Sequence, residues 1–248
     1  MITIRGWMSV FVLLVGCSAE SGGDGSGREP TPERSEANRI LPVRGVQATG
    51  DSESKKAAGP CLGESLRAGY KTSIELTAGH WGDWGCMAMC PDGSFAYEAS
   101  NLSLPSQGSN IDDVAVTAFD ISCIDKKTGA FRGFAMDQSF PVGNWYDPGV
   151  CAWPNKPIVG GGVRLEPSLG SGRDDTSANG VRISCRGDDD AHLIEVPAPT
   201  TWGGWQGTAR CPSGTAVCGV STRMEGTGLV GSRDDTAING LRYACCTF

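Results

Sequence analysis

The stretch GRDDTSANGVRISC at residues 172–185 returns as SRDDTAINGLRYAC at residues 232–245. A third copy, IDDVAVTAFDISC at residues 111–123, keeps the paired acids and the closing cysteine but lacks the Asn-Gly pair. Three copies at a spacing of about 60 residues indicate an internal repeat, in which each unit needs its neighbours to bury its apolar face. This repeat decides the fold class.

Tryptophans and cysteines outside this stretch keep the same spacing. Three tryptophans each precede a cysteine at a constant interval, and the pairs are Trp84 with Cys90, Trp145 with Cys151, and Trp205 with Cys211. These positions divide a folded region at residues 61–248 into repeats at about residues 70–126, 131–187 and 192–248. A region of this length can bury one substantial core.

The local pattern inside each repeat is that of β-structure. Residues 181–185 alternate apolar and polar side chains, which is typical of a half-buried strand. The preceding Asn179-Gly180 predicts a hairpin turn, because both residue types accept a positive φ. Further strands are predicted at Ser73–Thr77, Phe131–Met136, Leu193–Val196, Pro157–Leu165 and Ala216–Met224. With no helical period after residue 60, we expect an all-β fold that closes with pseudo-threefold symmetry and so avoids exposed sheet edges.

The eleven cysteines indicate an oxidised, exported protein. Neither a CxxC pair nor a sufficient number of histidines supports a metal site, so no metal is expected. The spacing predicts the bridges Cys90–Cys123, Cys151–Cys185 and Cys211–Cys245, with Cys218–Cys246 in the last repeat and Cys61–Cys86 by elimination. An exchange of Cys245 and Cys246 between two of these bridges fits the spacing equally well.

The N-terminal part predicts export and anchoring. The apolar run WMSVFVLLV at residues 7–15 is much shorter than the roughly 20 residues that span a bilayer, which is typical of a signal peptide. Residues 14–17 (LVGC) resemble a lipobox, so Cys17 is the predicted lipidation site; cleavage after Ala19 is the alternative. Residues 18–60 lack aromatic side chains and predict a disordered tether. The expected location is the bacterial cell envelope, at the outer membrane or cell surface.

The net charge of −7 argues against a nucleic-acid partner. Hydrolase motifs such as GxSxG and HExxH are absent, as is a phosphate-binding glycine loop, and no cofactor is expected. The sequence therefore does not decide whether the protein is an enzyme, and it favours a non-catalytic role.

Repeated acids and tryptophans are the candidate ligand-binding residues. They are Trp153, Trp84, Trp145, Trp205, Asp113, Asp175 and Asp235. Two carboxylates would serve glycoside chemistry, but a motif present three times is better explained by aspartates that cap loop amides. The repeated tryptophans likewise favour packing over sugar stacking. Trp153 stands outside the repeat and is the best single candidate for a ligand contact.

Several short motifs together identify a family. They are Trp81-Gly82-Asp83-Trp84, Trp202-Gly203-Gly204-Trp205, Cys90-Pro91-Asp92-Gly93, Cys211-Pro212-Ser213-Gly214, the Asp-Asp-Thr-Ala-x-Asn-Gly pattern and the terminal Cys245-Cys246. Over Thr72 to Phe248 the chain resembles the vitelline membrane outer layer protein I family. This resemblance implies a β-prism of three Greek-key sheets around a pseudo-threefold axis. It also implies an extracellular coat or matrix role, with a weak glycosyl-transfer activity associated with the group.

Three hypotheses about function follow. The first is a surface-anchored β-prism module that binds or organises glycans, such as amino-sugar polymers. The second is a purely structural coat protein whose surface meets other cell-surface proteins. The third is a weak glycosyltransferase or glycosidase with an acidic cleft among its loops.

Overall fold

The computed structural model describes residues 67–108, 113–140, 142–168, 176–225 and 236–248, which all lie in the compact unit Ser54–Phe248. The strands are β1 (Tyr70–Ala78), β2 (Asp83–Trp84), β3 (Ala88–Met89), β4 (Ser94–Ser103), β5 (Val116–Asp125), β6 (Phe131–Met136), β7 (Asn144–Trp145), β8 (Gly149–Val150), β9 (Ile158–Leu165), β10 (Ala178–Cys185), β11 (Ile194–Val196), β12 (Gly204–Trp205), β13 (Ala209–Arg210), β14 (Thr215–Met224) and β15 (Ile238–Thr247). Every element in these ranges is a strand, so the all-β prediction is confirmed.

The strands form three antiparallel sheets of five strands each. In sheet II, β4, β5 and β6 pair in succession, and β7 and β8 return to pair with β4 on its other side. This return beside the first strand is a Greek key. Sheet III repeats the arrangement with β9 to β13, and sheet I builds it from β14 and β15 together with β1, β2 and β3. The predicted Greek-key prism is therefore confirmed.

The three sheets enclose one core. Strand β14 contacts both β4 and β9, and β4 also contacts β9, so the first long strand of every sheet meets the other two. Each sheet contributes buried side chains to this core: Val116, Phe119 and Ile121 from sheet II, Val163, Val181 and Ile183 from sheet III, and Val220, Leu241 and Tyr243 from sheet I. Closure thus buries the apolar face that each sheet cannot bury alone.

Each sequence repeat is shared between two sheets. In the repeat at residues 70–126, strands β1 to β3 belong to sheet I, whereas β4 and β5 belong to sheet II. The cysteine after the tryptophan therefore lies in a different sheet from the cysteine that closes the repeat. The amide of Cys90 donates to the carbonyl of Cys218 in sheet I at 2.8 Å, while Cys123 lies in β5.

Three disulfides consequently join the sheets in a ring. Cys90–Cys123 joins sheet I to II, Cys151–Cys185 joins II to III, and Cys211–Cys245 joins III to I. A fourth disulfide, Cys218–Cys246, lies within sheet I. The spacing allowed Cys245 and Cys246 to exchange partners, and the structure has Cys211–Cys245 together with Cys218–Cys246. Cys86 is also disulfide-bonded, but the predicted partner Cys61 lies outside the described residues.

The hairpin-turn prediction at Asn179-Gly180 is wrong. Both residues lie inside β10, and the positive φ of 51° belongs to Ser177 before them. The Asn179 side-chain amide donates to the Thr176 hydroxyl at 2.5 Å and to the Ser177 carbonyl at 3.2 Å. A Cβ on Gly180 would lie 3.7 Å from the Trp205 ring. The pair therefore caps the loop and packs beside an aromatic ring, instead of making the turn.

The lipobox, Cys17 and the tether at residues 18–60 lie outside the described residues. In the part of the chain that the structure describes, no helix is long and apolar enough to cross a membrane.

Candidate functional site

The repeated tryptophans Trp84 and Trp205 pack on the outer faces of sheets I and III. The Arg242 guanidinium carbon lies 4.2 Å from the centre of the Trp84 ring, and that of Arg182 lies 4.8 Å from the Trp205 ring. Both rings are half-buried. The motif Asn-Gly-x-Arg thus supplies a glycine under the ring and a cation stacked on it. This arrangement fits packing, as the sequence favoured.

The third repeated tryptophan has different surroundings. Trp145 pairs with Leu102 at the same register in sheet II and is also half-buried. In sheet II, Asp120 stands at the position that Arg182 occupies in sheet III and Arg242 in sheet I, and this residue is only 4% exposed. The three tryptophans lie on three different sheets, so the structure does not bring them together into one site.

The one repeated aspartate within the described ranges has a structural role. The Asp113 carboxylate accepts hydrogen bonds from the Gln107 amide at 2.5 Å and from the Ser106 hydroxyl at 3.1 Å, so it caps the loop after β4. Asp175 and Asp235 lie outside the described residues. Sequence reasoning missed Glu166 and Glu225, whose carboxylates accept from the amide and hydroxyl of Thr176 and Thr236 respectively.

Asp137 is a further acid that the sequence did not single out. It follows β6 in sheet II, and its carboxylate accepts hydrogen bonds from the Thr222 amide at 3.0 Å and hydroxyl at 3.3 Å in sheet I. Burial raises the pKa of this carboxyl, and the hydrogen bonds from Thr222 offset part of that rise. A Cβ on Gly85 would meet the carboxylate, so Asp137 fills a close contact between two sheets.

Trp153 lies at the opposite end of the prism from the repeated tryptophans. The name base is used for the end of the prism at which β4, β9 and β14 begin. The opposite end, at which these strands finish, is called the hairpin end. The Cys151 amide donates to the Tyr97 carbonyl at 2.8 Å, and the Tyr97 hydroxyl donates to the Pro154 carbonyl at 2.6 Å. These bonds hold the segment that carries Trp153 at the base.

The Trp153 ring combines a supported face with solvent exposure. A Cβ on Gly129 would lie 3.0 Å from two carbons of the ring, so the backbone of the turn after β5 packs directly against the indole. The side chain nevertheless remains 46% exposed. A rigid aromatic face that is open to solvent is a suitable platform for a ligand with an apolar surface.

A cluster of cations and aromatic rings lies beside this platform, and sequence reasoning missed it. The Arg186 guanidinium carbon lies 3.9 Å from the centre of the Phe248 ring, and the Lys126 ammonium lies 5.3 Å from it. Phe248 also meets Phe95 edge-on at 4.9 Å. Burial raises the pKa of the Tyr97 hydroxyl, and the positive charge of Arg186 offsets part of that rise. Arg186 therefore lies close to the residue that holds the Trp153 segment.

A cavity of about 410 Å³ opens next to Phe248. Its lining includes Arg186, Arg210, Ser213, Gly214 and Phe248. The volume is within the range of small-ligand sites, roughly 300–1,000 Å³. Among the residues that the structure describes, no group of His, Cys, Asp and Glu side chains could hold a metal ion.

Two other exposed tryptophans lie at the hairpin end. Trp81 is 41% exposed and meets His80 edge-on at 4.4 Å, while Trp202 is 36% exposed. The loop carrying Trp81 is held by Arg223, which donates to the Gly79 carbonyl at 2.7 Å and to the Gly82 carbonyl at 2.9 Å. Trp81 is therefore similar to Trp153 in its exposed fraction but lies at the other end of the prism.

Three Greek-key sheets closed around one core define the chain as a β-prism protein. It belongs to the vitelline membrane outer layer protein I family, whose model matches residues 73–248. The chain is 34% identical over 188 residues to the vitelline membrane outer layer protein 1 homolog of Homo sapiens, covering 75% of this chain and 88% of that protein. The corresponding protein of Mus musculus is 32% identical over 210 residues, with 84% and 96% covered.

Solved structures with lower identity also match. The agglutinin of Calystegia sepium is 10% identical with a TM-score of 0.44, and the match covers 72% of this chain and 98% of that one. A prostate-specific WGA16 glycoprotein lectin is 10% identical with a TM-score of 0.43, covering 71% and 99%.

Proposed function

We propose that this protein is a surface-anchored β-prism module that binds glycans of the amino-sugar type through the base of the prism. The observation that carries this proposal is the Trp153 ring, which rests on Gly129 and stays 46% exposed. Sugar rings present flat C–H faces, and an indole that is already fixed loses little conformational entropy when such a face stacks on it.

Polar groups around the ring suit a sugar's hydroxyl and amide groups. Asn155 and Lys156 are exposed next to Trp153 in the sequence, and the Lys156 ammonium donates to the Asp188 carboxylate at 2.9 Å. A glycan site needs such an apolar platform together with a few polar groups that fix the orientation of the ligand. The disulfide ring supports the proposal as well, because it suits a domain that works outside the cell.

Trp153→Ala is the first test, with Trp81→Ala as the matched control at the other end of the prism. The full chain is incubated with insoluble chitin and with peptidoglycan, and both the pellet and the released sugars are analysed. We expect Trp153→Ala to weaken retention roughly tenfold or more, since it removes an aromatic anchor, and Trp81→Ala to leave retention unchanged.

Other outcomes would point elsewhere. Loss of retention in Trp81→Ala alone would move the site to the hairpin end. Failure of the unaltered protein to bind either polymer would reject glycan binding and favour the structural coat role with protein partners. New oligosaccharide lengths in the supernatant would favour the glycosyltransferase or glycosidase alternative.

The anchoring part of the proposal rests on the sequence of residues 1–17. A thioether-linked lipid on Cys17 would attach the chain to the cell envelope, and the segment at residues 18–60 would separate the domain from the membrane. In bacteria fed an alkyne-labelled fatty acid, we expect the chain to be labelled and Cys17→Ser to abolish labelling, while Ser18→Ala keeps it. Labelling that persists in Cys17→Ser would reject this anchor.

A further inference from the structure

We propose that the base recognises a saccharide that carries a carboxylate group, with Trp153 stacking one sugar ring and Arg186 and Lys126 binding the acid. This inference rests on the proposed function, since it names the class of glycan that the same site takes.

The aromatic platform and one of the two cations share one turn. Gly129 of the turn after β5 supports the Trp153 ring, and Lys126 of the same turn extends over the Phe248 ring at 5.3 Å. On the other side the Arg186 amide donates to the Pro157 carbonyl at 2.9 Å, four residues after Trp153. The platform and the cations are therefore neighbours on one surface.

Within the described part of the chain, neither Arg186 nor Lys126 pairs with a carboxylate. The nearby cations differ in this respect, because Arg210 pairs with Asp190 at 2.9 Å and Lys156 with Asp188 at 2.9 Å. The chain has a net charge of −7, so acidic side chains are abundant. Two neighbouring cations that pair with no carboxylate in the described residues therefore point to an acidic ligand.

Arg186 is also held in a geometry that suits a carboxylate. Its guanidinium stacks on Phe248 at 3.9 Å and, among the described residues, donates a single hydrogen bond, to the Thr215 carbonyl at 3.3 Å. A guanidinium has five N–H donors, and stacking on a ring leaves its edge free for a two-point contact with a carboxylate. Because Arg186 lines the cavity of about 410 Å³ beside Phe248, an acid group bound there would be partly shielded from water.

The surrounding negative charge adds selectivity. Asp188, Asp189 and Asp190 follow Arg186 in the sequence, and two of them are already paired with cations. A ligand with many dispersed negative charges would meet these acids, whereas one carboxylate placed at the edge of Arg186 would not. The geometry therefore favours a sugar with a single acid group next to a neutral sugar, in place of a densely charged polymer.

The test compares ligands that differ in the carboxylate alone. Hyaluronan hexasaccharide alternates amino sugars with carboxylated sugars, its carboxyl-reduced form keeps the same chain without charge, and chitohexaose is the neutral amino-sugar oligomer. Titration calorimetry with the full chain is expected to give about tenfold tighter binding of the hexasaccharide than of its reduced form. Arg186→Gln should bring this ratio close to one, and an unchanged circular dichroism spectrum and melting temperature verify that the variant is folded.

Lys126→Gln and Lys127→Gln form a charge-matched pair in the same turn. Lys126 lies over the Phe248 ring, whereas Lys127 is exposed beside it. We expect the first variant to lower the preference for the acid and the second to leave it intact. A preference that survives Arg186→Gln, or that falls equally in both lysine variants, would overturn the inference.

The same titration separates this inference from the proposed function. Binding of chitohexaose that depends on Trp153, with no preference for the carboxylated hexasaccharide, would overturn the inference and leave the proposed function standing. If none of the three oligosaccharides binds, both are overturned.

Discussion

Replacing both Cys151 and Cys185 with alanine is expected to lower the free energy of unfolding by about 3–4 kcal/mol. The two cysteines are 34 residues apart in the sequence, and in the chain-entropy model a bridge that closes a loop of this length restricts the unfolded chain by that amount. Because both cysteines are replaced, the bridge is removed without leaving a reactive thiol. Both residues are buried. Urea denaturation of the oxidised protein, compared with the unaltered chain, measures the loss.

The double variant Cys218→Ala/Cys246→Ala is the matched control. Its bridge has a sequence separation of 28, so chain entropy predicts nearly the same loss. The two bridges differ in the native state, because Cys151–Cys185 joins sheets II and III whereas the control lies between hydrogen-bonded strands of one sheet.

Hydrogen exchange should distinguish the two positions. Strand β8 of sheet II contacts β11 of sheet III near the Cys151–Cys185 bridge. We expect faster amide exchange in these strands only in the variant that lacks Cys151–Cys185, because no covalent bond then restricts local opening at this junction. A loss below about 1 kcal/mol, or equal exchange in the two variants, would show that the bridge does not constrain the junction.

Much of the fold could be predicted because its information is repeated. Landmarks that recur at a fixed spacing specify equivalent units, and three such units can bury their apolar faces only by closing on one another. The strand predicted at Phe131–Met136 coincides with β6, and Ser73–Thr77 and Ala216–Met224 lie inside β1 and β14. Alternation of side chains along a strand survives in the sequence wherever one face is buried.

The offset between repeats and sheets could not be read from the sequence. Spacing fixes where a unit recurs, but it does not say which partner its opening strand chooses. In the structure β1 pairs with β15, the last strand, and β2 pairs with β14. Long-range pairing of this kind depends on how the three sheets close, which is a property of the whole core.

The Asn-Gly error has a physical origin. The same dipeptide suits a turn with positive φ and also a strand start where the asparagine amide caps a loop. The first repeat held the relevant signal, because Thr117 replaces the asparagine and its hydroxyl donates to the Val142 carbonyl at 2.6 Å. A residue with no turn preference at that position is better explained by a capping role.

Part of the candidate site could be predicted from the sequence and part could not. Trp153 could be singled out because it breaks the repeat, and its role as a ligand contact stays a prediction. Lys126, Arg186 and Phe248 share no motif and come from three distant parts of the chain. Only the closed prism brings them together, so no pattern along the sequence could have grouped them.

Asn239→Ala is expected to lower the free energy of unfolding by about 3–5 kcal/mol, more than the equivalent change at Asn179. The buried Asn239 amide donates to the Thr236 hydroxyl at 2.6 Å and to the Ala237 carbonyl at 3.2 Å. Its carbonyl oxygen also accepts from the Trp81 amide at 3.2 Å and from the Ser177 hydroxyl at 2.9 Å. Alanine would leave these buried groups without partners.

Asn179 makes the same two donations, but within the described ranges its carbonyl oxygen accepts no hydrogen bond. The reason lies in the repeat, since Ala115 stands in the first copy where Ser177 stands in the second, and therefore offers no hydroxyl to the next sheet. We expect Asn179→Ala to cost about 1–3 kcal/mol less than Asn239→Ala, measured by urea denaturation of both variants.

Ser177→Ala provides the decisive comparison, because alanine already occupies the equivalent position, Ala237, with nearly the same φ of 50°. This change should cost about 1 kcal/mol in the unaltered protein and almost nothing once Asn239 is alanine, since the hydroxyl then has lost its acceptor. The hydrogen bond from Ser177 to Asn239 joins sheet III to sheet I at the hairpin end, where the disulfide ring does not act. An additive double variant, or an Asn179→Ala variant as unstable as Asn239→Ala, would mean that this polar contact does not stabilise the closure of the prism.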